Sequence, residues 1–299
     1  MLTEITNEKS KELIIFMLNN YMFGSNIYSF VGQNFINLEK KNFFKLSKFD
    51  YIFYNKNTVK TRRAILFLFK NASGLGEQVI ILKDFKIFKI EDMTVDDNYV
   101  NGSIFDVSFN LDTHEITIYD TFMICGHIKT HTTYNDRFND CECFIHNVTH
   151  ANIKLTETKD KAFEISDEEE LFMVPNNIPL VNGINYSAFK WKPANLITFS
   201  LQTKEIGDDM EMYTTNFRQL KKFAKIHNSD QDGNDYINTI KSLENYKDEC
   251  IIDINIEDGK IKILNVNNEK ALPNNIRSIE KILLIKKENI TFDDIVKLY

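Results

Sequence analysis

One pentapeptide, Phe189-Lys190-Trp191-Lys192-Pro193, carries the strongest functional signal in this sequence. Alternate residues of a β-strand share a face, so Lys190 and Lys192 are expected on the same side of a strand. Two adjacent ammonium groups repel each other unless an anion lies between them, and a triphosphate is a suitable anion. A solvated edge strand accounts for the same residues equally well. The pentapeptide alone leaves both alternatives open.

The composition is that of a folded, acidic chain. Of 299 residues, 43% are hydrophobic and 26% charged, and 36 basic against 43 acidic residues give a net charge of −7. This charge argues against binding nucleic acid over the whole surface, so an RNA contact needs a local basic groove. No apolar run approaches the roughly 20 residues of a membrane span, and we see no secretory signal. With four cysteines, these features predict an intracellular protein without membrane contact.

The pattern of apolar residues predicts short strands along most of the chain, with helices near both ends. After Pro193, many short strands around one helix are typical of a small barrel such as an OB-fold. We therefore predict an α+β protein in three parts. These are a domain with antiparallel sheets at 1–193, an OB-fold barrel at 194–273, and closing helices at 274–299 that pack back on the first domain.

Motifs along almost the whole chain resemble, in order, those of the nucleotidyltransferases that cap messenger RNA. The segment 30–38 is similar to the family's lead-in to its first domain, and Lys56 stands at its Lys-x-Asp-Gly nucleophile motif. The resemblance implies an ATP-grasp-like nucleotidyltransferase domain followed by an OB-fold. The other matching segments are 80–83, 102–106, 118–120, 136–138, 169–172, 189–193, 267–270 and 273–274.

The resemblance implies a two-step transfer of GMP. In the first step Lys56 attacks the α-phosphorus of GTP, expels pyrophosphate and forms a lysyl–GMP phosphoramidate. In the second step the 5′-diphosphate end of RNA takes the GMP. The implied cofactor is Mg²⁺ or Mn²⁺, with Glu169 as the candidate metal ligand. The implied partners are GTP, the 5′ end of RNA, and RNA polymerase or other capping-enzyme subunits. The implied localisation is the nucleus or, if the protein is viral, the cytoplasm.

The resemblance also implies which residues hold the nucleotide. Tyr119 and Phe172 fall where the family sandwiches the guanine ring, a role that suits aromatic side chains. Taken singly, such residues are more often core aromatics or surface lysines. The nucleotide-binding candidates are Tyr119, Phe172, Lys83, Lys190, Lys192 and Lys270.

The nucleophile motif departs from the family pattern. Lys56 is followed by Asn57-Thr58-Val59, so the motif's Asp and Gly are replaced. A rival alignment begins the motif at Lys60, but Arg62-Arg63 then replace the same two residues. A lysine attacks only as the neutral amine, so either candidate needs a lowered pKa.

Other family residues are missing as well. Asp106 is followed by Val107-Ser108, so the glutamate that holds the ribose hydroxyls in the family is missing. Asn267 stands where the family's barrel-domain motif has an arginine. The sequence therefore supports two functional hypotheses. One is an active guanylyltransferase with a divergent site, and the other is a catalytically impaired homologue that binds GTP, RNA ends or a capping or transcription partner. A DNA or RNA ligase, which shares the fold, is a third.

Two further groups of residues have alternative interpretations. The set Cys141, Cys143, His146 and His150 offers four zinc donors, but its spacing differs from common Cys-x-x-Cys sites, and a loop with free thiols is the alternative. A second set is predicted to form a basic helical face, either solvated or able to dock an RNA end or a phosphorylated tail. Its members are Arg218, Lys221, Lys222 and Lys225.

Overall fold

The computed structural model describes residues 2–25, 28–57, 60–150, 152–159, 166, 169–257, 260–268 and 270–298. The chain divides into two compact units, Met1–Trp191 with Phe292–Tyr299, and Lys192–Thr291. Within the described residues, no helix is both long enough and apolar enough to cross a membrane.

The first unit contains twelve strands and four helices among its described residues. The strands are β1 (Leu2–Glu4), β2 (Gln33–Asn37), β3 (Tyr51–Asn57), β4 (Arg62–Lys70), β5 (Gly76–Leu82), β6 (Ile87–Ile90), β7 (Ser103–Phe109), β8 (Ile116–Ile124), β9 (His127–Ile128), β10 (Ile153–Leu155), β11 (Glu169–Pro175) and β12 (Gly183–Trp191). The helices are α1 (Glu8–Phe23), α2 (Phe43–Leu46), α3 (Tyr134–Asn147) and, near the chain end, α6 (Phe292–Val296).

These strands form two sheets. The larger has the order β1-β6-β5-β4-β7-β8-β10, with β9 paired to β8, and the smaller has the order β2-β12-β11-β3. The pairs are antiparallel except for β10 with β8 and β2 with β12. The prediction of antiparallel sheets in the first domain is therefore confirmed, with two parallel pairs in addition.

The larger sheet is buried on both faces, which explains why β4 is a nearly continuous apolar run. Alternate residues Ala64, Leu66 and Leu68 share a core with Cys141 and Phe144 of α3. On the other face, residues 65, 67 and 69 pack in a core with the apolar side of α1.

A third cluster joins the two sheets and defines one wall of the candidate site. Ile52 and Tyr54 from β3 and Phe172 from β11 belong to the smaller sheet, whereas Tyr119 comes from β8 of the larger one. Tyr134 of α3 completes this aromatic cluster, and its hydroxyl donates to the Tyr119 carbonyl at 2.8 Å. The cluster therefore fixes the spacing of the two sheets at the position where Lys56 emerges.

The second unit has five strands and two helices in its described part. They are β13 (Phe199–Ile206), β14 (Asp209–Asn216), β15 (Gln219–Ile226), α4 (Gln231–Lys241), β16 (Ile251–Glu257), β17 (Lys260–Val266) and α5 (Ile276–Glu288). The sheet order is β15-β14-β13-β16-β17. A closed barrel requires its two edge strands to pair, and no such pairing occurs among the described residues. The predicted OB-fold barrel is thus not confirmed.

One prediction in this region needs correction. Residues 218–225 are not helical, because Phe217 and Arg218 form a two-residue turn with φ of 49° and 66° that joins β14 to β15. Positive φ at both positions matches the twist of a tight hairpin, which favours strand pairing over a helix. Of the predicted closing helices at 274–299, α5 belongs to the second unit, where Ile279 is buried in the core, and α6 belongs to the first unit.

The structure predicts that Arg137 is essential for the stability of the first unit. Its side chain is 1% exposed, and its Nε and Nη2 donate to the Asp120 carboxylate at 2.7 and 3.1 Å. The variant Arg137→Met leaves this carboxylate buried without its cation, which costs about 3–5 kcal/mol of unfolding free energy. Urea unfolding followed by the fluorescence of Trp191, the single tryptophan of the sequence, measures the loss.

The matched control is Arg62→Met. Its guanidinium lies 3.7 Å from Asp84, and both side chains are partly exposed, so the expected loss is below about 1 kcal/mol. Equal losses in the two variants would contradict the assignment of Arg137.

Candidate functional site

A cavity of about 370 Å³ opens in the first unit between residues of both sheets. Four of its lining residues are cationic and one, Glu170, is a carboxylate, in a chain whose net charge is −7. The local excess of positive charge suits a polyanionic ligand. The lining residues are Asn34, Phe35, Lys56, Thr61, Arg63, Lys83, Ser108, Glu170, Phe172 and Lys190.

Lys56 is a buried cation in the wall of this cavity. The residue is 6% exposed, and its Nζ lies 3.8 Å from the ring centroid of Tyr119 and 5.0 Å from that of Phe172. The pKa of Lys56 is lowered to about 8, chiefly because burial removes the hydration of the ammonium; the carboxylate of Asp106 opposes this shift, and the neighbouring Arg63 adds to it. A sizeable fraction of Lys56 is therefore the neutral, nucleophilic amine near physiological pH.

Arg63 is held beside this lysine by a bidentate ion pair. Its Nε and Nη2 donate to the Asp106 carboxylate at 3.2 and 2.8 Å, and its Nη1 donates to Asn34 Oδ1 at 3.3 Å. A Cβ at Gly32, whose φ is 152°, would lie 2.6 Å from Nη2. Glycine at position 32 therefore gives the guanidinium the space that this arrangement needs.

The two aromatic residues expected to sandwich a base are both buried, Tyr119 at 3% exposure and Phe172 at 6%. Tyr54 contacts each of them. Its ring centroid lies 5.4 Å from that of Phe172 at an interplanar angle of 2°, and 5.1 Å from that of Tyr119 at 34°. A side chain of the protein therefore takes part in the stacking that the family resemblance implies for guanine.

The carboxylates near Lys56 are engaged with cations. Asp106 pairs with Arg63, and Glu170 lies 3.5 Å from Lys190 Nζ. Glu169, the predicted metal ligand, accepts a hydrogen bond from the Ser166 amide at 3.1 Å. In the described ranges no group of three or more His, Cys, Asp or Glu side chains could hold a metal ion. This donor set does not fit a protein-held Mg²⁺ or Mn²⁺.

The zinc alternative has no support in the described residues. Cys141 is buried in the core, whereas Cys143, two residues later on α3, is exposed. Residues two apart on a helix do not face each other, so these thiols cannot ligate one ion together. The Nε2 of His150 lies 3.4 Å from Asp92 instead.

The structure brings together part of the predicted site. Lys56, Lys83, Phe172 and Lys190 line the same cavity, and Tyr119 lies against Lys56. Two further candidates belong to the second unit. These are Lys192, which follows the end of β12, and Lys270, whose Nζ donates to Ser200 Oγ and lies 3.8 Å from Asp253.

The rival nucleophile Lys60 is exposed and does not line the cavity. The replaced positions 58 and 59 lie outside the described residues.

Sequence reasoning missed Tyr54 and Arg63 as members of the site. A signal for Tyr54 was present, because residues two apart on a strand share a face and Tyr54 precedes Lys56 by two on β3. Nothing local indicated Arg63, since its partner Asp106 comes from a distant strand.

No protein-family model and no curated protein matches this chain. Similar solved structures include three ligases. The ligase domain of M. tuberculosis LigD is 8% identical, with 80% of this chain and 94% of that chain covered and a TM-score of 0.36. A Lig E DNA ligase is 8% identical, with coverages of 79% and 99% and a TM-score of 0.38. The ATP-dependent DNA ligase from bacteriophage T7, in complex with ATP, is 9% identical, with coverages of 79% and 98% and a TM-score of 0.35. Likenesses this weak assign neither an activity nor a nucleotide to the chain.

The pKa of Lys56 predicts an unusual reactivity profile. Because the pKa is about 8, the acylation rate of Lys56 should rise with pH and reach half its maximum near pH 8. Ordinary lysines follow a pKa of about 10.4. Competitive labelling with acetic anhydride at a series of pH values, followed by peptide mass spectrometry, separates Lys56 from the neighbouring Lys60. A midpoint for Lys56 near that of the bulk lysines would refute the lowered pKa.

Proposed function

We propose that this protein is a nucleotidyltransferase of the mRNA-capping type, in which Lys56 takes GMP from GTP and passes it to the 5′-diphosphate end of RNA. One observation carries the proposal. A buried lysine with its pKa lowered to about 8 lies on the wall of a cavity that three further cations line. The pairing of a weakly basic amine with a polyanion site is what lysine-dependent nucleotidyl transfer requires.

The first step forms an N–P bond. The neutral Lys56 amine attacks the α-phosphorus, the bond to the pyrophosphate oxygen breaks, and the amine releases a proton to the medium. Arg63, Lys83 and Lys190 line the cavity where the phosphate oxygens collect negative charge, so they stabilise the departing pyrophosphate. In the second step an oxygen of the RNA diphosphate attacks the same phosphorus and frees the lysine.

A second function is favoured by a specific observation. Tyr54 stacks on Phe172 and also contacts Tyr119, so the aromatic pair is already occupied from within the protein. This arrangement favours a catalytically impaired homologue that binds GTP, RNA ends or a capping or transcription partner without transferring the nucleotide.

The second unit offers a surface that suits the RNA acceptor, here called the basic edge and defined as residues 217–226. It contains four basic residues and no acidic one, and β15 lies at the edge of its sheet. Phe217 at its tip is 79% exposed and Phe223 is also exposed. Lys222 and Lys225 form ion pairs with Glu211 and Asp209. Exposed aromatic rings next to cations are typical of surfaces that bind single-stranded nucleic acid.

The decisive experiment is nucleotide labelling. Incubation with α-labelled GTP and Mg²⁺ or Mn²⁺, followed by denaturation, should leave an acid-labile label on the protein. Lys56→Ala should abolish the label because it removes the attacking amine. The matched control Lys60→Ala should retain it, since Lys60 is exposed and does not line the cavity.

The other outcomes are equally informative. A label that depends on Lys60 would assign the nucleophile to the rival position. Binding of GTP without any label, in a protein that remains folded, would favour the impaired homologue.

The basic edge makes a separate prediction about RNA. The double variant Arg218→Glu/Lys221→Glu should bind a single-stranded 5′-diphosphate RNA more weakly. The slope of log K against log salt should become shallower by about 1.4, because each phosphate that a cation neutralises adds about 0.7 to that slope. Fluorescence anisotropy at several salt concentrations measures both quantities.

The control Lys9→Glu/Lys48→Glu makes the same change in net charge at exposed residues of the first unit. An equal effect of the two double variants would show that the basic edge has no specific role.

A further inference from the structure

The space between Tyr119 and Phe172 determines whether this site can select a base. In the antiparallel pairing of β3 with β11, Tyr54 lies directly opposite Phe172, so the contact between these rings follows from the backbone register. Tyr54 also packs against Tyr134 at a centroid distance of 6.3 Å and an angle of 16°. With a fractional exposure of 2%, Tyr54 is a fixed member of the core.

These rings also have other neighbours, and Phe35 and Phe172 line the cavity. The rings of Phe35 and Phe172 make an edge-to-face contact, with their centroids 4.9 Å apart and an interplanar angle of 88°. The Nζ of Lys56 lies over the ring of Tyr119 at 3.8 Å, and the Tyr119 hydroxyl is within 3.0 Å of Ser108 Oγ. A purine therefore finds no stacking position between Tyr119 and Phe172 in this arrangement.

The polar part of the cavity lining has the opposite character. Lys56, Arg63, Lys83 and Lys190 line it together with the polar side chains of Asn34, Thr61 and Ser108. Lys83 is exposed, and the side chain of Lys190 is 27% exposed, so these cations can be reached from solvent. A chain of phosphates can accept hydrogen bonds from all of these groups, whatever base is attached.

We propose that this cavity selects its ligand by the triphosphate and not by the base. The inference rests on the proposed function, because it concerns how the same site binds GTP, and it makes other nucleoside triphosphates ligands of the site as well. Inorganic triphosphate should occupy the site as well. Tyr54 is the residue that prevents discrimination between bases.

The test compares four ligands on the unmodified protein. Isothermal titration with GTP, ATP, UTP and inorganic triphosphate, at equal Mg²⁺, should give dissociation constants that agree within about threefold. Stacking of a base on aromatic rings would instead favour GTP over inorganic triphosphate by roughly 5- to 150-fold. A preference for GTP of tenfold or more, or no binding of any of the four, overturns the proposal.

Two variants test the role of Tyr54. Tyr54→Ala opens the space between Tyr119 and Phe172, so GTP should gain at least about fivefold over inorganic triphosphate. Tyr54→Phe keeps the ring that contacts Tyr119 and Phe172, so GTP should gain no preference over inorganic triphosphate in this variant. Circular dichroism establishes that each variant is folded. A folded Tyr54→Ala that gains no preference for GTP contradicts the proposal, and if this variant fails to fold, the four-ligand comparison decides alone.

Binding and labelling separate this inference from the proposed function. Equal binding of the four ligands without transfer of label to Lys56 would support base-independent recognition and contradict the proposed transferase activity. Transfer of label from GTP but not from ATP, together with tighter binding of GTP, would support the transferase activity and contradict base-independent recognition.

Discussion

The burial of one amine, that of Lys56, is the constraint on which the site depends. An ammonium group loses its hydration when it is buried, and the lowered pKa records this cost. Two kinds of interaction offset the cost of burying the Lys56 amine. The faces of Tyr119 and Phe172 attract the residual positive charge, and the carboxylates of Asp106 and Glu170 oppose the shift. The two sheets of the first unit supply these groups from opposite sides, so the reactivity of Lys56 depends on how the sheets pack.

Part of this site was accessible from the sequence because it depends on local spacing. The family-like order of motifs selected Lys56, Lys83, Phe172 and Lys190, and all four line one cavity. Lys192 was expected to share a strand face with Lys190, but β12 ends at Trp191, and the alternation of side chains between two faces applies only within a strand. Which carboxylate meets which cation could not be predicted, since Arg63 and Asp106 belong to different strands whose register is set by tertiary packing.

The second unit shows the same limit. A basic stretch with apolar residues at mixed spacing suggests a helix, yet it forms a turn and an edge strand. The reason is the two-residue turn at Phe217 and Arg218, whose positive φ values few residues other than glycine and asparagine adopt readily. Such a turn leaves no compositional mark in the sequence. The order of strands in this sheet could not be predicted from the sequence either, because it depends on which strand edges pair at long range.

Tyr54 and Lys56 lie two residues apart on β3, with their side chains on the same face of the strand. The backbone that carries the aromatic ring also carries the amine, so the two cannot be displaced independently over any large distance. A movement of β3 that withdraws the ring from Phe172 also changes the position of the amine relative to the cations of the cavity. Access for a base and alignment of the nucleophile are thus mechanically coupled through a single strand.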